Sequence, residues 1–93
     1  WKAASLLERQ AYYEWRAASR ANYYEVKFGA GDNSALVARD DQASAAWRDA
    51  LGRLLLTPAP HKAALLWKRR NLIRRETPET VAAIAADAAR LEG

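Results

Sequence analysis

The chain has 93 residues, with fifteen Lys and Arg against eleven Asp and Glu, one His, no Cys and a formal charge of +4. A length in this range makes one small basic domain that buries only about 60% of its unfolded surface, which leaves a modest core and little room for a deep active-site cavity. The composition excludes disulfide and thiolate chemistry, and no apolar run approaches the ~18 residues of a membrane span.

Twenty-two residues are Ala and eleven are Leu, whereas Val, Ile and Thr together number eight. Helix formers dominate and strand formers are scarce, so the expected fold is all-α: a small four-helix bundle-like domain over 1–93, with a long first helix and a short fourth. Leu, Ile, Val and Phe supply only seventeen residues, so the four Trp and four Tyr must provide the missing core bulk.

Helix one is predicted over 2–28 and closed by Gly29-Ala30-Gly31, where glycine can take the left-handed conformation that ends helices. At about 40 Å it should overhang its neighbours unless a partner or a second copy covers it. Arg9-Gln10-Ala11-Tyr12-Tyr13-Glu14-Trp15-Arg16 is echoed eleven residues later by Arg20-Ala21-Asn22-Tyr23-Tyr24-Glu25-Val26-Lys27. Eleven residues are close to three turns, so matched residues share a line along the helix. Lys2, Arg9, Arg16, Arg20 and Lys27 fall in a sector about 40° wide, which puts every cation of this helix in one stripe. Leu7, Ala11, Trp15 and Ala18 lie to one side, and Leu6, Tyr13, Ala17 and Tyr24 to another. The stripe fits a solvated face whose stems lie over neighbouring rings, and it fits a phosphate-tracking surface with Tyr12, Tyr13 and Tyr23 against sugars or bases.

Helix two is predicted over 33–56, capped by Asp32 or Asn33. Thr57-Pro58 then reads as a hydroxyl N-cap with proline in the first turn, starting helix three over 58–75. That segment holds Lys62, Lys68, Arg69, Arg70, Arg74 and Arg75 with no acidic residue, so it contributes +6 while the rest of the chain is −2. Arg70 and Arg74 stand one turn apart beside Trp67, with Lys68 and Arg75 on the opposite flank of an apolar strip made by Leu65, Leu66, Leu72 and Ile73. Three readings fit: a helix that grips phosphates and guanine edges, a helix that docks on an acidic protein surface, and cations that merely complement the helix dipole. The candidate contact residues are Lys62, Trp67, Lys68, Arg70, Arg74 and Arg75. Arg69 falls inside the apolar strip, where an unpaired guanidinium is very costly, so a structural ion pair is expected with Glu14, Glu25 or Asp40.

Thr77-Pro78-Glu79 repeats the capping device and opens helix four over 78–91, with Val81, Ile84, Ala85, Ala88 and Leu91 inward and Glu79, Asp87 and Arg90 outward. Catalysis is not expected. His61 is the only His, it has no Glu-x-x-His partner, and it reads as a polar first-turn residue of helix three. No nucleophile–base pair and no glycine-rich phosphate loop can be assembled, so no cofactor, metal or small-molecule substrate is expected.

Leu54-Leu55-Leu56-Thr57-Pro58-Ala59-Pro60, Ala63-Ala64-Leu65-Leu66-Trp67-Lys68 and Ile84-Ala85-Ala86-Asp87-Ala88-Ala89-Arg90-Leu91 together resemble a group of short uncharacterised helical bacterial proteins, often from prophage or mobile-element neighbourhoods. The likeness covers about the last 40 residues. It implies a helical fold and a bacterial or phage origin and carries no site residues with it. The arginine-rich second half of helix three departs from that group. Trp1 is not a translation start, no charged-then-apolar leader is seen, and the expected location is the cytoplasm of a bacterium or phage-infected host. The expected function is non-catalytic binding of an acidic macromolecule, foremost nucleic-acid phosphates, through helix 58–75. The alternative is a protein-interaction or homo-oligomeric assembly module built on the aromatic first helix.

Overall fold

The computed structural model describes residues 1–29, 31 and 33–93, Phe28 through its backbone alone. Its elements in chain order are α1 (Lys2–Phe28), α2 (Ser34–Leu56), α3 (Lys62–Asn71), a 3₁₀ turn (Leu72–Arg75) and α4 (Pro78–Glu92), with no strand among the described residues. This is the all-α arrangement expected, with a long first helix and a short fourth. The chain extends 58 × 23 × 16 Å and has a radius of gyration of 16.4 Å, against about 12 Å for a rounded domain of this length.

The elongation follows from which helices meet. α1 lies along α2 for most of its length, whereas α3, the 3₁₀ turn and α4 gather at the C-terminal end of α2. Ala18 is fully buried in the α1–α2 seam, where a methyl side chain lets the two backbones approach closely. Trp47 of α2 stacks on Trp15 of α1 at 4.9 Å between ring centroids and 5° between planes. Its indole Nε1 donates to Glu8 Oε1 at 3.1 Å. Leu51 and Leu55 complete this cluster, joined by Ala11, Tyr12 and Trp67. A second cluster, Ala59, Ala64, Leu65 and Ile84, is closed by Trp1, Leu72, Ala88 and Leu91. Trp1 meets Trp67 edge-on at 5.9 Å, so the start of α1 is tied to α3. All four Trp thus serve the core, and each of the buried Leu51, Leu54, Leu55 and Leu65 side chains contributes roughly 1.5–3 kcal/mol.

α1 and α2 end where expected but are closed differently, and the start of α3 differs in position. α1 ends at Gly29 in extended backbone, φ −78° and ψ 153°, and not in the left-handed region. Asn33 occupies the N-cap of α2 without a side-chain cap bond, and the other candidate cap, Asp32, lies outside the described residues. α3 starts at Lys62, four residues later than Thr57-Pro58 suggests. Pro60 disfavours helical backbone at Ala59, and the Ala59 backbone is engaged elsewhere: its N–H donates to Asp87 Oδ1 at 3.1 Å and its carbonyl accepts from Arg90 at 2.5 Å. Thr57 instead closes α2, its hydroxyl donating to the Arg53 carbonyl at 2.7 Å. His61 is the N-cap of α3, its Nδ1 accepting from the Ala64 N–H at 3.1 Å, which agrees with its reading as a polar residue of that turn. Thr77 caps α4 as expected, through a reciprocal box with Thr80.

Candidate functional site

α3, the 3₁₀ turn and α4 form a cap on the C-terminal end of α2, and its centre is a buried ion pair. Lys68 Nζ donates to Asp87 Oδ2 and, at 2.6 Å, to the Thr57 carbonyl. Lys68 is 0% and Asp87 3% exposed. Burial pushes the Asp87 carboxyl up, but hydrogen bonds from Lys68, from the Ala59 N–H and from Arg90 outweigh it and hold the group below the usual aspartate range. One carboxylate therefore joins α3, α4 and the Thr57–Ala59 connection.

This corrects two expectations at once. Lys68 is not available to a partner, and Asp87 is not an outward surface residue. Arg69, expected inside, projects outward and pairs with Glu92 through two bonds of 2.6 and 3.0 Å, with both side chains more than 40% exposed. The bond to Glu92 raises the guanidinium further, and the same bond lowers the Glu92 carboxyl. None of Glu14, Glu25 and Asp40 serves as its partner; Asp40 accepts from Asn22 at 3.3 Å across the α1–α2 seam. The inward face of α3 and the 3₁₀ turn is Ala64, Leu65, Lys68 and Leu72, so the expected strip is divided: Leu65 and Leu72 point inward, Leu66 and Ile73 outward.

The remaining cations of this segment do not form one surface. Trp67 is spent on the core between Trp1 and the Trp47 cluster. Arg75 lies across Gly52 of α2, bordering a recess with Asp49, Arg53 and Glu79. Lys62, Arg70 and Arg74 are exposed. Lys62 stands near Glu92, the partner of Arg69, so this side of α3 is partly neutralised by α4.

α1 presents a different picture. Lys2, Arg9, Arg16, Arg20 and Lys27 are all exposed, on the side of the helix roughly opposite Ala11 and the buried Ala18. The ion pairs Arg53–Asp49, Lys68–Asp87, Arg69–Glu92 and Arg90–Asp87 lie within α2, α3 and α4. Glu14 sits on the other side of the helix, in a groove floored by Leu7, Ala11, Ala46 and Ala50. Acid and base are therefore segregated around α1.

Tyrosines accompany the cations. Arg16 Nη1 donates to the Tyr12 hydroxyl at 2.9 Å and lies 5.8 Å from that ring. Lys27 Nζ donates to the Tyr23 hydroxyl at 3.1 Å and lies 5.4 Å from that ring. Tyr13 and Tyr24 follow outward, 64% and 55% exposed. Tyr12, Tyr13, Arg16 and Arg20 border one shallow recess, and Arg16, Arg20, Tyr23 and Tyr24 border the next. At the helix start, Lys2 and Arg9 border a further recess with Trp1, Leu6, Pro60 and His61, so the stripe runs on to the cap.

Among the described residues no group of three His, Cys, Asp or Glu side chains is placed to hold a metal ion, and no helix is long and apolar enough to cross a membrane. Comparison of the chain with protein-family models, with curated proteins and with solved structures finds no match.

Proposed function

We propose that this protein is a non-catalytic binding protein for nucleic-acid phosphates, acting in the bacterial or phage setting suggested by its C-terminal segment, and that its principal contact surface is the basic stripe of α1. The observation that carries the reading is the line of five exposed cations, Lys2, Arg9, Arg16, Arg20 and Lys27, interleaved with exposed tyrosines and kept apart from the acids of the same helix. Arginine forks bind phosphate oxygens bidentately, and a row of them releases condensed counterions when a polyanion docks. Lys62, Arg70 and Arg74 are further exposed cations, whereas Lys68 and Arg69 are already paired with α4.

The test is a mobility-shift titration of DNA and RNA at about 50 mM salt and upward, where log affinity should fall linearly with log salt. Arg9→Gln/Arg16→Gln/Arg20→Gln should abolish most of the binding, and Arg70→Gln/Arg74→Gln should weaken it less. Absence of retardation at low salt defeats the proposal. A second reading, self-assembly or docking of a protein on α1, is favoured by the exposed Leu6, Tyr13 and Tyr24 on one line of the helix. Light scattering that shows a concentration-dependent dimer, together with no affinity for nucleic acid, would select it.

A further inference from the structure

The eleven-residue echo in α1 is a repeat of structure as well as of sequence. Each unit reads Arg-x-x-Tyr-Tyr-x-x followed by a cation: Arg9, Tyr12, Tyr13, Arg16, then Arg20, Tyr23, Tyr24, Lys27. In each unit the closing cation bonds the hydroxyl of the first tyrosine and lies within 6 Å of its ring. In each unit, too, the second tyrosine meets the first edge-on at 5.7 Å, with interplanar angles of 67° and 74°. The first tyrosine therefore positions a cation and the second presents an exposed ring, as Tyr23 of the second unit also does. Unit one is braced from behind, because Tyr12 also packs on Trp15 and Trp47 at 6.0 and 5.8 Å.

Successive units are related by about 16 Å along the helix and only about 20° around it. Tyr13 and Tyr24 are thus aligned on one side, with Arg16 and Arg20 between them bordering both recesses. A duplex conceals the faces of its bases, so an exposed ring beside its phosphates has nothing to stack on. A single strand exposes those faces, and a base–aromatic stack is tolerant of sequence because every base has one. The spacing is also suitable: a strand stacked at about 3.4 Å per nucleotide places about five nucleotides over 16 Å, and an extended strand fewer.

Resting on the phosphate-binding reading above, we infer that α1 selects single-stranded nucleic acid, with Tyr13 and Tyr24 as two stacking stations and Arg16 and Arg20 gripping the phosphates that run between them. A stack is made on a face that every base has, so the selectivity is for strand state and not for sequence.

Equilibrium titrations with a twelve-nucleotide oligothymidylate, the corresponding oligouridylate and a twelve-base-pair duplex at about 50 mM salt separate the possibilities. The single strands should bind at least tenfold more tightly than the duplex. Tyr13→Leu and Tyr24→Leu, which keep an apolar side chain on an exposed site, should each lower single-strand affinity about tenfold, the weight of one stack, and leave duplex affinity within twofold. Tyr13→Phe and Tyr24→Phe should restore it. Shortening the oligothymidylate from about six nucleotides to two should remove the benefit of the second station, and with it the effect of mutating one of the two tyrosines. Equal affinity for duplex and single strand, with the leucine variants silent, would overturn this inference while leaving phosphate binding intact. Failure of all three probes to bind would overturn both.

Discussion

Lys68→Met removes the charge at the centre of the cap while keeping most of the side chain's length. It leaves the buried Asp87 carboxylate with the Ala59 N–H and Arg90 as its remaining partners. Breaking a buried pair from one side costs about 3–5 kcal/mol, and because Asp87 keeps two of its three donors the lower end, about 3 kcal/mol, is the appropriate expectation. For a domain of this size that corresponds to a fall in Tm of about 15 °C. The loss should be read by thermal and urea unfolding followed by far-UV circular dichroism. Lys68→Met/Asp87→Leu removes both charges, and a packed apolar pair should recover a large part of the loss relative to either single variant. Lys68→Met falling within about 1 kcal/mol of the parent, as a surface cation would, refutes the placement of Lys68 at the centre of the cap.

The same carboxylate gives a pH dependence. The folded-state pKa of Asp87 is depressed, so its stabilisation is complete above the unfolded value near 3.9 and is lost as pH falls through the lower folded value; Asp87→Asn should flatten the Tm-versus-pH curve below about pH 4. Arg69→Ala and Glu92→Ala should change Tm only slightly, since both side chains are extensively exposed, and a loss as large as that of Lys68→Met would show that the roles of positions 68 and 69 have been exchanged. Thr77→Ala removes a reciprocal cap and should cost about 1–2 kcal/mol, with His61→Ala costing about 1 kcal/mol by loss of the Ala64 bond; chemical unfolding reads both.

How far the sequence determines the reading differs from element to element. α1, α2 and α4 are legible because local chemistry specifies them: alanine-rich runs, the change of composition at Gly29, and the Thr77-Pro78 cap. The start of α3 is not, because Thr57-Pro58 offers a valid local cap. What overrides it is Pro60 next door and two bonds from Asp87 and Arg90, about thirty residues away in the chain. The exchange of Lys68 and Arg69 has the same origin. Counting Leu65, Leu66, Leu72 and Ile73 as one inward strip points α3 roughly one residue, about 100°, away from its true packing face. A corrective signal was present in α4, where Asp87 continues the line of Thr80, Ile84 and Leu91 at helical spacing and so marks a buried acid in need of a cation. Lys68, flanked by Ala64 and Leu65 on its own helix and by Leu72 of the 3₁₀ turn, is the cation that meets it. The basic stripe of α1 needed no tertiary information, because every position in it is fixed by helical spacing alone. Its weight relative to α3 did need it: the +6 of residues 58–75 includes two cations already paired with α4.

The central claim, that the α1 stripe and not α3 is the principal contact surface for phosphates, is tested most directly by the salt dependence of oligonucleotide binding. The parent and Arg9→Gln/Arg16→Gln/Arg20→Gln should differ in the slope of log affinity against log salt by about 2 for a single strand, the contribution of three lost phosphate contacts. Arg70→Gln/Arg74→Gln should leave most of that slope in place. An unchanged slope in the α1 variant, with the larger loss in the α3 variant, would contradict the account.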